Sequence, residues 1–452
     1  MKVKKLLATT ITALTLATVV GCGKEADSIT VWVGGESVKY YEKVLKDFKK
    51  KNDFPLNFKV VEADAGQAAG NFLQDPDNGA DIFTVAHDNI AKLTVDGSHI
   101  LPLTDESLIN QVKADNTPEF VEVITKTMTT SAGPKDYMFA VPYITQSLIL
   151  YYNTDFVTPE QAKTWEGLAE AANKISDTTK KVKACTLVGE DGYNFSWSIL
   201  ARQLNEDGTS SSTLKLYDDK KAENCYFQGD DMVAVTKWTQ DYFKNPNGMM
   251  FPSGSGWEVE LRADGGKPVA LSTISGAWDY TAVQEVLGSK LGVAKLPTFT
   301  INEDHGEVKA GTKFQSGSFY DCKAFVMKKN SPHRQYLQEV VKFLSSKEVQ
   351  EGSFEECQNL PSYKDAQKDF EALKADTTAA KLANIQYEMG KYGMPQPFGT
   401  GDNFNNNYYS AGGATLYKRL IENKGGVFST DAQIKAELAN IEAVWKTGKS
   451  SV

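Results

Sequence analysis

The chain has 452 residues, of which 41% are hydrophobic, and it carries a formal net charge of −9 at pH 7. Such a length suits two or three domain-sized cores, and the apolar content is sufficient to fill them. The acidic balance argues against nucleic acid as a partner, because binding a polyanion requires clustered lysine and arginine side chains that release counterions.

The N-terminal residues have the features of an export signal. Lysines precede an apolar stretch at residues 6–20, which is too short for a comfortable membrane span. The stretch ends in Val19-Val20-Gly21-Cys22, which is similar to the bacterial lipobox. We therefore predict that residues 1–21 are a cleaved signal peptide, that Cys22 carries a diacylglycerol anchor, and that residues 22–28 form a short polar tether. The alternative is an ordinary secreted protein with a cysteine at this position by chance.

The next segment alternates strand and helix patterns. Residues 29–33 form a strand candidate, a Gly34-Gly35 turn follows, and residues 38–48 have apolar side chains at helical spacing. Strand candidates recur at residues 56–62 and 81–85. This order predicts a largely parallel sheet with helices on both faces, and therefore an α/β fold.

The same two patterns continue along the chain. Residues 148–152 and 269–274 are apolar runs short enough for buried strands, and residues 233–243 and 335–343 have helical spacing. No repeat of fixed period is evident. Because ligands of open α/β sheets lie at the carboxyl ends of the strands, we expect the functional residues in loops that directly follow strands.

The sequence offers little for catalysis, metal binding or a cofactor. Gly399-Thr400-Gly401 lacks the third glycine of a dinucleotide loop, and the cysteines that follow Cys22 include no Cys-x-x-Cys pair. No metal and no cofactor are therefore predicted. A glycoside hydrolase needs only two well-positioned carboxylates, so an exported glycoside hydrolase stays open as the rival class. The histidines are isolated from one another: His87, His99, His305 and His333.

Several short segments together suggest one family. The run Ala-Asp-Ile-Phe-Thr-Val-Ala-His-Asp at residues 80–88 and the strand at residues 142–153, which ends in Leu-Tyr-Tyr-Asn, come first. The later segments are Thr164-Trp165-Glu166, Phe195-Ser196-Trp197, Gly276-Ala277-Trp278 and Leu296-Pro297-Thr298-Phe299. In order and approximate spacing they resemble the maltose and maltodextrin-binding proteins of bacterial ABC importers, and the resemblance spans most of the mature chain.

The resemblance implies a two-lobed, periplasmic-binding-protein-like α/β fold with a hinge and an interlobe ligand cleft. Lobe 1 would comprise residues 29–143 and 314–358, and lobe 2 residues 144–313 and 359–452. The implied function is that of a non-enzymatic, monomeric lipoprotein on the outer face of the cytoplasmic membrane. It would capture an oligosaccharide, with maltose or maltodextrin as the first candidate, and deliver it to the ABC permease. A different oligosaccharide, a polyol or a peptide is the alternative ligand.

This lobe assignment also suggests a disulfide pattern for an oxidising exterior. Cys185 and Cys225 fall in lobe 2, whereas Cys322 and Cys357 fall in lobe 1, so we predict one bond within each lobe. The sequence alone permits three connectivities, and four free buried thiols are the alternative.

Sugar recognition requires aromatic faces against the pyranose ring and polar groups around its edge. The resemblance implies both, and Trp278 is the leading candidate, with a core tryptophan as the alternative. Glu36 could instead be a helix N-terminal acid, and Gln146 and Phe195 could be packing residues. The implied ligand-binding residues are Trp278, Tyr280, Asp88, Asn89, Glu36, Gln146, Phe195 and Phe404.

Three departures from the family pattern bear on the substrate. Val85 stands where the best-known members have tryptophan, Asn89 where they have arginine, and Ser37 where they have lysine. These changes remove a stacking face and two cations. Either neighbouring residues compensate or the preferred sugar differs, because each charge-assisted hydrogen bond contributes about 1.5–3 kcal/mol.

Overall fold

The computed structural model describes residues 27–95, 98–190, 192–210, 227–263, 266–396, 406–410 and 412–449. The predicted signal peptide and the predicted lipid anchor at Cys22 lie outside these residues, as do Cys225 and Phe404.

Strands occur throughout the described part of the chain, and most of them are short. They are Ser28–Val33 (β1), Asn57–Glu62 (β2), Ile82–Ala86 (β3), Thr125–Thr130 (β4), Gly133–Met138 (β5), Val141–Ser147 (β6), Ile149–Asn153 (β7), Cys185–Leu187 (β8), Arg202–Gln203 (β9), Met249–Met250 (β10), Ser272–Ser275 (β11), Leu291–Ala294 (β12), Thr298–Thr300 (β13), Lys313–Gln315 (β14), Ser318–Met327 (β15) and Gly393–Met394 (β16).

Helices alternate with these strands, and within the described residues none is long and apolar enough to cross a membrane. The α-helices are Val38–Lys51 (α1), Ala68–Gln74 (α2), Ile90–Thr94 (α3), Glu106–Asp115 (α4), Pro118–Val123 (α5), Trp165–Ile175 (α6), Ser196–Ile199 (α7), Asp230–Lys244 (α8), Trp257–Leu261 (α9), Tyr280–Leu287 (α10), Arg334–Leu344 (α11), Lys347–Cys357 (α12), Ala366–Asp369 (α13), Thr378–Gly390 (α14), Gly413–Glu422 (α15) and Asp431–Thr447 (α16). Short 3-10 helices include Gly35–Ser37, His87–Asn89 and Ala277–Asp279, and Asn406–Ser410 is a π-helix.

The first sheet has the strand order β16-β15-β3-β1-β2, and β6 also pairs with β15. β1 is parallel to β2 and β3, whereas β15 is antiparallel to β3 and β6. Alternate residues of β1 are buried, so one of its faces packs against the core, whereas β3 is buried on both faces. The predicted parallel strands at residues 29–33, 56–62 and 81–85 are thereby confirmed.

The second sheet has the strand order β10-β8-β11-β7-β12. β7 is its antiparallel member, between β11 and β12. The predicted strands at residues 148–152 and 269–274 correspond to β7 and β11, and the helix patterns at residues 233–243 and 335–343 fall within α8 and α11. A three-stranded sheet (β13-β14-β9) and the β4-β5 hairpin complete the strands of the described residues.

Each large sheet carries its own apolar core. One core is drawn from residues 29–144 and 324–349, and the other from residues 148–319 and 382–445. The chain therefore crosses between the cores three times, and the first two crossings are neighbours, where the amide of Leu148 donates a 2.8 Å hydrogen bond to Oγ of Ser318. The exact lobe boundaries stay a prediction.

The Thr164-Trp165-Glu166 segment has a structural role. The hydroxyl of Thr164 accepts a 2.9 Å hydrogen bond from the amide of Gly167 and so caps α6. Trp165 is fully buried, and its indole N–H donates to Oγ of Ser316 at 3.0 Å. Glu166 accepts from the amide of Thr300 at 2.8 Å. The segment therefore joins α6 to the neighbouring strands of the second core.

The structure contradicts the predicted disulfide between Cys322 and Cys357, because both are free thiols. Cys322 is fully buried in the middle of β15, where it pairs with Thr145, whereas Cys357 ends α12 and lies near Ser37 and Glu36. Cys185 is likewise a free, buried thiol in β8, and its predicted partner Cys225 lies outside the described residues.

Candidate functional site

A cavity of about 700 Å³ is lined by residues next to both cores, and this position makes it the candidate for a ligand site. It is open to solvent and is bordered by the loops after β1, β2 and β11, by β6, and by the end of α12. Its polar and aromatic lining residues are Glu36, Glu62, Asp64, Tyr143, Thr145, Gln146, Trp278, Tyr280, Thr281, Lys323, Glu356, Gln358 and Asn359.

The side of the cavity next to the first sheet carries carboxylates, and we call Glu36, Glu62 and Asp64 the acidic wall. Because β1 and β2 are parallel and Val33 is opposite Glu62, the loops after both strands leave the sheet at the same edge. A methyl group at Gly35 would lie 2.7 Å from the carboxyl carbon of Glu62, so glycine gives this carboxylate its place beside the backbone. The acidic wall therefore results from strand register and from the absence of a side chain at residue 35.

The opposite side carries aromatic rings, and we call Trp278 and Tyr280 the aromatic wall. Both directly follow β11. Trp278 is 45% exposed, which is unusual for tryptophan in this chain, and its ring lies over Gly276, where any side chain would overlap it. Tyr193 supports the ring from its edge, with centroids 5.7 Å apart and planes at 72°. The ring thus has a fixed position and a free face.

The loop beneath Trp278 is held by hydrogen bonds. The phenol of Tyr151 donates to the carbonyl of Gly276 at 2.9 Å, and Oγ of Ser275 donates to the carboxylate of Asp279. Burial raises the pKa of Asp279, and the charge of Glu258 adds to the effect, whereas hydrogen bonds from Ser275 and Trp278 oppose it. The aromatic wall is therefore attached to a half-buried carboxylate.

A buried polar cluster links the first sheet to the C-terminal segment. Nε2 of His87 lies 2.8 Å from the carbonyl of Gln396, and since a carbonyl only accepts, Nε2 carries the proton. Asp321 accepts from the amide of Gln396 at 3.0 Å and from its side chain at 2.8 Å, and burial raises the pKa of Asp321. Tyr409 donates to Oε1 of Gln396 at 2.7 Å. Gln396 thereby ties the two cores together.

The predicted site residues fall into three groups. Trp278, Tyr280, Glu36 and Gln146 line the cavity. Asp88 and Asn89 belong to the 3-10 helix after β3 and are not among the lining residues, and the side-chain amide of Asn89 donates to the carboxylate of Asp88 at 3.2 Å.

Phe195 belongs to the third group, for which the structure contradicts the predicted contact with a ligand. Its side chain is fully buried in the second core, with Phe251 at 5.7 Å and Tyr417 at 6.2 Å between ring centroids. Phe404 lies outside the described residues.

Some residues in or beside the cavity were not predicted from the sequence. Glu62 could have been predicted as a site residue, because it ends a predicted strand. Tyr193 lies two residues before Phe195 and contacts Trp278, but no local pattern distinguishes the two aromatics. Lys323 lies within β15 and lines the cavity only because that strand pairs with β6 and β3.

Comparisons with known proteins agree with this geometry. A family model described as bacterial extracellular solute-binding protein matches residues 43–383. A relative from Streptococcus pneumoniae (strain ATCC BAA-255 / R6), named maltooligosaccharide ABC transporter solute-binding lipoprotein, is 23% identical over 367 residues, which are 80% of this chain and 78% of the relative.

Two solved structures are similar over almost the whole chain. The maltodextrin-binding protein MalE1 from L. casei BL23, without ligand, has a TM-score of 0.71 at 21% identity and covers 94% of this chain and 100% of its own. MalX from Streptococcus pneumoniae, in complex with maltopentaose, has a TM-score of 0.65 at 18% identity, with coverage of 92% and 99%. This likeness confirms the predicted two-lobed, periplasmic-binding-protein-like α/β fold.

Proposed function

The chain belongs to the bacterial extracellular solute-binding proteins, and we propose that it captures an oligosaccharide for delivery to an ABC importer. Maltose or maltodextrin is the first candidate for the ligand. The curated relatives are named for maltooligosaccharide, and proteins of the same fold have been solved with maltotetraose and maltopentaose bound.

The observation that carries this proposal is the exposed ring of Trp278 in a cavity whose other side is the acidic wall. A pyranose has an apolar C–H face and an edge of hydroxyl groups. Trp278 offers its free face to the first, and Glu36, Glu62 and Asp64 offer acceptors to the second. The two walls come from different cores, so hinge bending between the cores would bring them together around the sugar.

The proposed role involves no bond cleavage. The rival class, an exported glycoside hydrolase, would use two of the cavity carboxylates as acid and nucleophile or base. Incubation of the pure protein with maltooligosaccharides, followed by chromatography of the products, separates the two. Steady turnover would replace the binding proposal with the enzymatic one.

We also propose that the mature protein is a monomer anchored through Cys22 on the outer face of the cytoplasmic membrane. A diacylglycerol anchor supplies two acyl chains, which are sufficient for stable attachment. In cell fractionation the wild type should sediment with membranes, whereas Cys22→Ala should be released into the medium or remain as the uncleaved precursor. A Cys22→Ala protein that is processed and stays with membranes would contradict the anchor.

The first test is isothermal titration with maltotriose. The protein is the mature chain from residue 22 with Cys22 replaced by serine, and Trp278→Ala is compared with Val427→Ala, which removes a 60% exposed side chain outside the cavity. We expect micromolar binding that Trp278→Ala weakens about 70-fold and Val427→Ala preserves. If the protein bound another glycan but not maltotriose, it would still be a sugar-binding protein, but maltodextrin would be ruled out as its ligand. If it bound no sugar of a broad panel, the sugar proposal would be refuted.

A further inference from the structure

Charge is unevenly distributed around the cavity. Four carboxylates line it, from Glu36, Glu62, Asp64 and Glu356, and Lys323 is the single basic residue among the described lining residues. Ser37 and Asn89, at two positions where the sequence resemblance expects cations, supply none. If a cation contributes to ligand binding from within this lining, it is Lys323.

Two of the four carboxylates have other partners. Glu356 pairs with Lys43 at 2.5 Å, on the outside of α1. Asp64 accepts from the amides of Gly66 and Gln67 at 2.9 and 3.1 Å. Within the described part of the chain, neither these two residues nor Glu36 or Glu62 forms an ion pair with Lys323, whose ammonium group is therefore not already neutralised by the acids around it.

Lys323 lies in a strand that is paired on both sides. It is opposite Ala86 of β3 and Ile144 of β6, and the pairing with β6 shifts register directly after it, between Lys323 and Ala324. The acidic wall, by contrast, lies in the loops after β1 and β2 or at a strand end. The side chain of Lys323 therefore extends from the first sheet and lines the same cavity as the residues of both walls.

We infer that Lys323 is a ligand-binding residue that donates hydrogen bonds to hydroxyl oxygens of a neutral oligosaccharide. An ammonium group is a donor only and a carboxylate an acceptor only, so a sugar hydroxyl can accept from Lys323 while it donates to the acidic wall. Such a chain of two bonds through one hydroxyl is cooperative and selects hydroxyl groups over purely accepting or purely donating groups. The inference rests on the proposed function.

Lys328 provides a matched control on the same stretch of chain. It directly follows β15 and is buried, and its ammonium donates to the carbonyls of Asp77 at 2.7 Å and Gly79 at 3.3 Å. Its bonds are therefore structural. Lys323→Met should affect ligand binding without affecting stability, whereas Lys328→Met should affect stability without affecting ligand binding.

The experiment compares Lys323→Met, Lys323→Arg and Lys328→Met in the mature protein, by titration with maltotriose and by thermal unfolding. We expect Lys323→Met to weaken binding about 10- to 100-fold, as the loss of a charge-assisted hydrogen bond implies, at an unchanged unfolding temperature. Lys323→Arg, which keeps the charge, should recover most of the affinity. Lys328→Met should unfold at a lower temperature and bind normally.

Acetylation of the wild type gives a second readout that needs no variant. Saturating maltotriose should protect Lys323 from an amine-reactive acetylating reagent and leave the exposed Lys39 of α1 unprotected, as measured by mass spectrometry. If the wild type binds and Lys323→Met binds equally well, or if Lys323 reacts at the same rate with and without sugar, the inference is overturned and the proposed function stands. A wild type that binds no sugar overturns both.

Discussion

The two walls of the cleft differ in chemistry and in how firmly they are held. The acidic wall consists of long or loop-borne carboxylates, and at least two of its residues, Glu36 and Glu62, are exposed side chains that lie beside glycines. The aromatic wall presents one large exposed ring, that of Trp278, which is fixed by Gly276, Tyr193 and the hydrogen-bonded loop beneath it. One wall can adjust to a ligand, whereas the other is preorganised for it.

This difference indicates how binding energy should be divided. Several carboxylates can substitute for one another in accepting hydrogen bonds, so the loss of one should be partly compensated. Trp278 has no such substitute, because Tyr280 is partly buried and its phenol donates to Gln284 at 3.2 Å. We therefore expect affinity to depend more steeply on the aromatic wall than on any single residue of the acidic wall.

The largest expected effect is that of Trp278→Ala compared with Glu62→Gln. Covering about 100 Å² of ring at 25 cal/mol per Å² gives about 2.5 kcal/mol for Trp278, or about 70-fold in affinity for maltotriose. Glu62→Gln keeps one acceptor and removes one charge, and should cost about 1 kcal/mol. Isothermal titration of both variants measures the ratio.

The double variant tests whether the walls act independently. The two residues contact each other only through the ligand, so their effects should add to within about 0.5 kcal/mol. Equal losses for the two single variants, or a greater loss for Glu62→Gln, would contradict the division between an adjustable and a preorganised wall.

The sequence was sufficient to predict the α/β fold, the family and half of the candidate site residues. Strand residues 29–33 and 81–85 have local patterns strong enough to be read directly, and Trp278 follows a recognisable strand. Glu36 and Trp278 were identified because each lies in a loop just after a strand, at a position where the family resemblance implies a sugar-binding residue.

The remaining site residues depend on contacts between distant segments. Phe195 and Tyr193 are both aromatic and two residues apart, and only the packing against Phe251 and Tyr417 decides that Phe195 enters the core. Lys323 reaches the cavity through the pairing of β15 with β6, whose residues are more than 170 positions away in the chain. The disulfide prediction failed for the same reason, since membership of one lobe does not bring two cysteines into contact.

The two glycines under the walls permit an intermediate test. Gly276→Ala should displace the Trp278 ring, which cannot yield without leaving its support, and we expect maltotriose binding to weaken by about 1–2 kcal/mol. In Gly35→Ala the new methyl group contacts the end of the flexible Glu62 side chain, which can rotate away. The loss of binding free energy should therefore stay below about 0.5 kcal/mol. Titration and near-ultraviolet circular dichroism of both variants report affinity and ring position. A greater loss for Gly35→Ala would show that the carboxylate position is the more critical one.

The smallest expected effect concerns pH and the carboxylate beneath the aromatic wall. Burial is the main cause that raises the pKa of Asp279, so its folded-state pKa lies above that of the unfolded chain. Between these two values the folded protein binds more protons than the unfolded one. The unfolding free energy contributed by Asp279 therefore rises as the pH falls from 7 through its folded pKa.

Urea unfolding of the wild type and of Asp279→Asn, from pH 7 downward, isolates the contribution of Asp279. The unfolding free energy of the wild type should increase relative to that of the variant as the pH falls. Asp105, the cap of α4, is the control of opposite sign, because hydrogen bonds from Ser107 lower its pKa. The stability that Asp105 adds is present above its unfolded pKa and is lost as the pH falls. The difference in unfolding free energy between the wild type and Asp105→Asn should therefore shrink as the pH falls. If Asp279 behaved like Asp105, its carboxylate would be stabilised as an anion, and the ring of Trp278 would rest on a solvated loop rather than on a half-buried support.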